Sequence, residues 1–112
     1  MPVAKRMLHE FLCQWLEWAS KDEPESHNEF RRDTGLCCSL DNWLDSKELE
    51  RSVYHEVRQV LYSMLEKDGL CPYFPFGEDA YRRDADSRLA HKNLDRQAWV
   101  FRAIHKLKGE VF

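Results

Sequence analysis

Glycine is scarce in this chain of 112 residues, with four in all, and neither G-x-x-x-x-G-K-[ST] nor G-x-G-x-x-G occurs. The two common backbone cradles for phosphate are therefore excluded. Long apolar runs are missing too. No stretch reaches the roughly 18 consecutive apolar residues that a membrane-spanning helix needs. The opening Met-Pro-Val-Ala-Lys-Arg has no apolar run bounded by a small-residue cleavage site, which argues against a secretory signal. Nor is there an excess of one charge. Seventeen Lys and Arg against 20 Asp and Glu leave −3, too little to point to nucleic acid, membrane or an acidic substrate as partner.

Cysteine is limited to Cys13, Cys37, Cys38 and Cys71. With no export signal, a disulfide framework is not expected, and the adjacent Cys37 and Cys38 would form only a strained bridge. The pairs that structural zinc sites draw on, C-x₂₋₄-C or H-x₃₋₅-H, are absent. A zinc site would have to be assembled from Cys37, Cys71 and His27 or His91. The preferred expectation is reduced thiols packed as small hydrophobes, with no metal and no cofactor. Catalysis is poorly supported. Cys37 or Cys38 with His91 would make a nucleophile and base, but no nucleophile elbow and no oxyanion-forming glycine loop accompany them. The acidic pairs Asp84/Asp86 and Asp41/Asp45 read as loop charges or helix caps. The chain is expected not to be an enzyme.

What is present is core material. Hydrophobic residues make up 43% and aromatics 12%, with four tryptophans, enough to fold one domain over residues 1–112 and to exclude a disordered tail. Apolar residues at Met7, Leu8, Phe11, Leu12, Trp15, Leu16 and Ala19 recur at three- and four-residue steps. They predict a helix from Ala4 to Ser20, with Trp18 widening its apolar face. A polar, acidic loop follows from Lys21 to Glu29, and then a turn and one short helix held down by Leu36, Leu40 and Trp43. Asp45 and Glu48 have capping-box spacing, so the next helix is expected over Ser46 to Asp68. Leu49, Val53, Val57, Val60, Leu61, Met64 and Leu65 form its face, and Gly69 sits where a left-handed C-cap belongs. Cys71 to Gly77 carries two prolines and reads as a rigid aromatic loop. A last helix is expected from Asn93 or Asp95 to Lys108, ended by Gly109. Ala98, Trp99, Val100, Phe101, Ile104 and Leu107 would be its apolar side. The predicted architecture is mainly α, a single small domain of three main helices with aromatic-rich ordered loops.

Two surfaces stand out as partner sites. Tyr73, Phe74 and Phe76 in the aromatic loop, followed by Tyr81, Arg82 and Arg83, combine the residue types that dominate protein interfaces. The reading that ranks first for these rings is that they close the base of the small core, with the interface role second. From Gly77 onward eight Lys and Arg face six Asp and Glu, so Arg82, Arg83, Arg88, Lys92, Arg96 and Arg102 beside Tyr81 and Trp99 offer a diluted phosphate-contacting face.

The order Thr34-Gly35-Leu36-Cys37, Asp68-Gly69-Leu70, Pro75-Phe76, Tyr81, then His91, Asn93, Arg96 and Ala98-Trp99-Val100 resembles a group of small bacteriophage proteins. Those proteins carry a Gly-Leu-Cys turn, a Tyr-Pro-Phe-like loop and an H-x-N-x-x-R-x-x-W-like ending. Here Phe74 stands between the tyrosine and the proline. The resemblance runs from about Phe30 to Val100 and implies an accessory protein of the infected bacterial cytoplasm. It brings no activity or catalytic residue with it. Gly35, Cys37, His91, Asn93, Arg96 and Trp99 are its motif positions. Asn93 is expected to cap the last helix, with His91 and Arg96 clasping that helix to the aromatic loop. The function expected is binding of a host or phage protein. A nucleic-acid-associated role through the C-terminal basic residues comes second, and a small metal protein or enzyme third.

Overall fold

The computed structural model describes residues 3–20, 36–70 and 94–111 of the chain. They form four helices: α1 (Val3–Ala19), α2 (Leu36–Ser46), α3 (Arg51–Lys67) and α4 (Leu94–Val111). The fold is mainly α, and no strand occurs among the described residues.

In α1 the three- and four-residue stripe is buried as periodicity requires. Ala4, Leu8, Phe11, Leu12, Trp15, Trp18 and Ala19 are buried, while Met7 and Leu16 lie half-covered at its margins. This helix is the hub of the core, packing closely on both α3 and α4, which approach each other less closely. It runs antiparallel to α4. Lys5 Nζ meets Glu110 Oε2 at 3.3 Å at one end, and Gln97 Nε2 donates to the Ala19 carbonyl at 3.4 Å at the other. All four tryptophans, Trp15, Trp18, Trp43 and Trp99, are buried. The Trp43 ring meets Phe11 edge-on at 5.6 Å, and its Nε1 donates to Gln14 Oε1 at 3.1 Å. A large ring is thereby buried with its polar edge satisfied.

The boundary between α2 and α3 differs from the capping-box expectation. Asp45 and Ser46 belong to the last turn of α2, and α3 starts at Arg51 behind Glu50, an extended N-cap residue making no side-chain cap bond. The reason is burial. Trp43 and Leu44 are sunk in the core, and covering both carries α2 past Asp45. Ser46 Oγ then donates back to the Trp43 carbonyl at 2.6 Å instead of capping α3. Lys47 N–H reaches the Leu44 carbonyl at 3.0 Å, and Glu48 turns the chain at φ +52°, a backbone region that residues other than glycine seldom occupy.

At the far end of α3, Gly69 has φ +72°, as its sequence position predicts. Leu70 N–H bonds the Leu65 carbonyl at 2.8 Å and Gly69 N–H bonds the Glu66 carbonyl at 2.9 Å, the paired closure of a Schellman motif. Leu70 folds back against the core.

Helix α4 departs from expectation in its register and its end. Arg96, Trp99, Val100, Ala103 and Leu107 are its buried residues, whereas Ala98 is exposed and Phe101 is 55% exposed. Steps of three and four from Trp99 lead through Ala103 to Leu107 and leave Phe101 on the outer side, where its ring meets His105 at 4.6 Å. Gly109 lies inside the helix rather than ending it, and Glu110, next in the chain, pairs with Lys5 of α1.

Candidate functional site

Two side-chain assemblies are built on this frame. The first is a polar clamp between α2 and α3, the two helices joined by the turn at residues 47–50. Arg58 projects from α3 toward α2 and places its Nε 3.4 Å from Asp41 Oδ1. Its Nη2 donates to Tyr62 Oη at 2.7 Å. The guanidinium also lies 5.7 Å from the Tyr54 ring centre and 5.5 Å from that of Tyr62, within cation–π range of both. Tyr62 sits one turn along α3 from Arg58 and close enough to the buried Cys37 to favour its thiolate. Asp41, Arg58, Tyr62 and Cys37 therefore share one neighbourhood between the two helices.

Burial dominates the electrostatics of this assembly. Burial pushes the Cys37 thiol up to about 12, with Asp41 adding to the rise, and outweighs the opposing effects of Tyr62 and the Arg58 charge. A nucleophilic cysteine needs the opposite shift, whereas here the thiol form is favoured near neutrality. Tyr54 is likewise pushed up to about 12, first by burial and then by the Asp41 carboxylate. Cys13, one turn from His9 on α1, behaves similarly. Its sulfur lies 3.8 Å from Nε2 and 4.0 Å from Nδ1, so neither ring nitrogen is aimed at it, and burial raises its pKa.

The second assembly is a groove of about 370 Å³ between α3 and α4, within the size range of ligand-binding clefts. It forms because α3 and α4 both lean on α1 and leave a gap between themselves. Val60 and Met64, one turn apart on α3, supply an apolar floor beside Gln59 and Ser63. Lys67 stands on the α3 wall, Lys106 on the α4 wall, and Lys5 and Glu110 close one end. Beside it, sharing Met64 and Lys106, lies a separate depression of about 110 Å³ that Asp68, Trp99, Arg102 and Ala103 also line. There Trp99 Nε1 donates to Asp68 Oδ2 at 2.7 Å, tying the end of α3 to the start of α4.

The charges within the groove fall into two kinds. Its two carboxylates are engaged, Glu110 with Lys5 and Asp68 with the Trp99 indole. Lys67, Arg102 and Lys106 have no carboxylate partner among the described residues. The middle of the groove is therefore cationic above an apolar floor, in a chain whose net charge is −3. Among the described residues that line it, Ser63 carries the one hydroxyl.

Of the residues singled out in the sequence, Tyr73, Phe74, Phe76, Tyr81, Arg82, Arg83, Arg88 and Lys92 lie outside the described residues, as do Cys71, Gly35, His91 and Asn93. The expected clasp is described only through Arg96, which is fully buried in the first turns of α4. That burial removes Arg96 from any phosphate-contacting face. Trp99 lies in the core beside the groove, and Cys37 in the clamp. Among the described residues no cluster of three or more His, Cys, Asp or Glu is placed to hold a metal ion, and no helix is long and apolar enough to cross a membrane. Sequence reading missed the groove, because its floor and rim come from helices about 40 residues apart. No protein-family model matches the chain, and comparison with curated proteins and with solved structures gives no match.

Proposed function

We propose that this chain is a small non-enzymatic accessory protein that acts by binding another protein, and that the groove between α3 and α4 is its docking surface. The observation that carries the reading is the groove's make-up: Val60 and Met64 as floor, with Lys67, Arg102 and Lys106 as rim. An apolar centre inside a polar margin is how protein interfaces are built. The sequence resemblance to small bacteriophage proteins supplies the setting, the cytoplasm of an infected bacterium, with a host or phage protein as partner.

The test is affinity capture from bacterial lysate, with and without phage infection, using tagged wild type and Ser63→Trp. Ser63 is exposed at the groove wall, so an indole there fills the groove over Val60 and Met64 while the core stays intact. The reading expects a discrete protein held by wild type and lost by Ser63→Trp at unchanged melting temperature. Equal capture by both, or none by wild type, overturns it.

A further inference from the structure

Resting on that reading, we propose the chemistry of the partner: the groove receives an acidic amphipathic α-helix of about three turns, apolar residues downward and carboxylates toward Lys67, Arg102 and Lys106. Length comes first. Taken with the adjoining depression, the α3 side runs from Gln59 to Asp68 and the α4 side from Trp99 to Glu110. At 1.5 Å per residue these walls are about 14 and 16 Å long, close to three turns of a helix. The floor suits one helix face. Val60 and Met64 form an apolar row one turn apart, and the small Ser63 and Ala103 let a backbone come close.

Charge fixes the sign of the occupant. The cations stand on both walls, Lys67 on α3 and Arg102 with Lys106 on α4, so a helix lying between them meets positive charge on each flank. Of the two carboxylates at the groove's ends, Glu110 is paired with Lys5, while Asp68 keeps its charge under the Trp99 hydrogen bond and is outnumbered by Lys67, Arg102 and Lys106. An apolar stripe flanked by Glu or Asp on both sides satisfies floor and rim together, the helix-in-groove mode of recognition. A nucleic acid fits less well. A single strand binds by stacking its bases on open aromatic faces, and among the described residues the one ring lining the groove, Trp99, is 3% exposed.

The test uses the full chain and a fluorescein-labelled peptide of about 14 residues, with Leu at i, i+4 and i+7 and Glu on both flanks. Its controls are a scrambled peptide, a version with Lys for every Glu, and oligo-dT of matching charge. Anisotropy should show saturable binding of the Glu peptide alone, weakening several-fold between about 0.05 and 0.5 M salt. The double substitution Lys67→Glu/Lys106→Glu reverses exposed charges and should leave the fold intact. It should lower affinity for the Glu peptide about tenfold or more and confer binding of the Lys peptide. Several outcomes overturn the proposal: no saturable binding of the Glu peptide, equal binding of the scrambled or Lys peptide, tighter binding of oligo-dT, or no effect of the charge reversal. So does a chain dimer, seen by light scattering, that the reversal dissolves, since the occupant is then a second copy. If Ser63→Trp abolishes partner capture while Lys67→Glu/Lys106→Glu leaves it intact, protein binding through the groove stands and the acidic helix fails.

Discussion

Replacing Arg58 by alanine cuts a side chain that bridges Asp41, Tyr54 and Tyr62, and the size of the loss can be worked from its contacts. The 2.7 Å bond from the guanidinium to Tyr62 Oη has a charged donor, a class worth about 1.5–3 kcal/mol. The pair with Asp41 is longer, 3.4 Å, and its side chains are 31% and 35% exposed, so it adds only a few tenths of a kcal/mol, roughly the low end for surface pairs. Two ring contacts at 5.5 and 5.7 Å add about 0.5 kcal/mol each at this exposure. These terms share one group and do not add fully, so the expected loss is about 2–4 kcal/mol. Arg58→Lys keeps the charge but not the planar fork, and should recover only about half of it. Urea unfolding of wild type and both variants measures this, with m unchanged if only stability moves. A loss below about 0.5 kcal/mol for alanine would mean that the clamp is a surface decoration. Full recovery by lysine would mean that charge alone matters and the bond to Tyr62 does not.

Three further expectations follow from the described contacts. Leu61 is fully buried on α3, so Leu61→Ala should cost about 2–5 kcal/mol in the same assay, and a change under about 0.5 would remove that helix face from the core. Because the folded-state pKa of Cys37 and of Tyr54 is raised, from 9.0 and 10.0 to about 12, their contribution is fully present below pH 9 and is lost as pH climbs toward 12. Urea midpoints should therefore fall across that window and fall less steeply in Cys37→Ala, and iodoacetamide at pH 8 should label Cys37 far more slowly than the half-buried Cys38. Equal labelling of the two would contradict the buried thiol. Trp99→Phe should cost about 1–2 kcal/mol through the lost bond to Asp68, discounted because that carboxylate regains water. In Asp68→Ala the same change should cost measurably less, and strict additivity would deny the bond.

Local signals carried most of the helix content. The stripe from Leu8 to Ala19 lies within one helix, and Gly69 with Leu70 closes α3 by bonds to residues a turn away, so both were legible from sequence alone. The α2–α3 boundary was not, although Asp45 and Glu48 have capping-box spacing. The burial of Trp43 and Leu44 against other helices outweighs that local preference. Helix α4 shows the same limit. Arg96 occupies a core position and Phe101 an outward one, because the register is set by packing on α1 and residue type alone gives the opposite assignment. The groove was invisible for a different reason. Periodicity placed Val60 and Met64 on an apolar face correctly, but whether a neighbour covers that face or leaves a gap is decided by how α3 and α4 lean on α1. The clamp likewise joins Cys37 and Asp41 to Arg58 and Tyr62 across the α2–α3 turn, a pairing no single-helix pattern encodes.

The antiparallel pairing of the first and last helices bears on how the chain emerges from the ribosome. Leu8, Phe11, Leu12 and Trp15 are translated first, yet part of their cover comes from Val100, Ala103 and Leu107, some 90 residues later. At about 5–20 residues per second, the nascent α1 waits on the order of 5–20 seconds with that side open to solvent. During that interval α2 and α3 can form their hairpin, but the domain cannot close. Slow codons late in the message would lengthen the exposure, and a chain stalled before α4 would present a tryptophan-rich surface to chaperones and proteases.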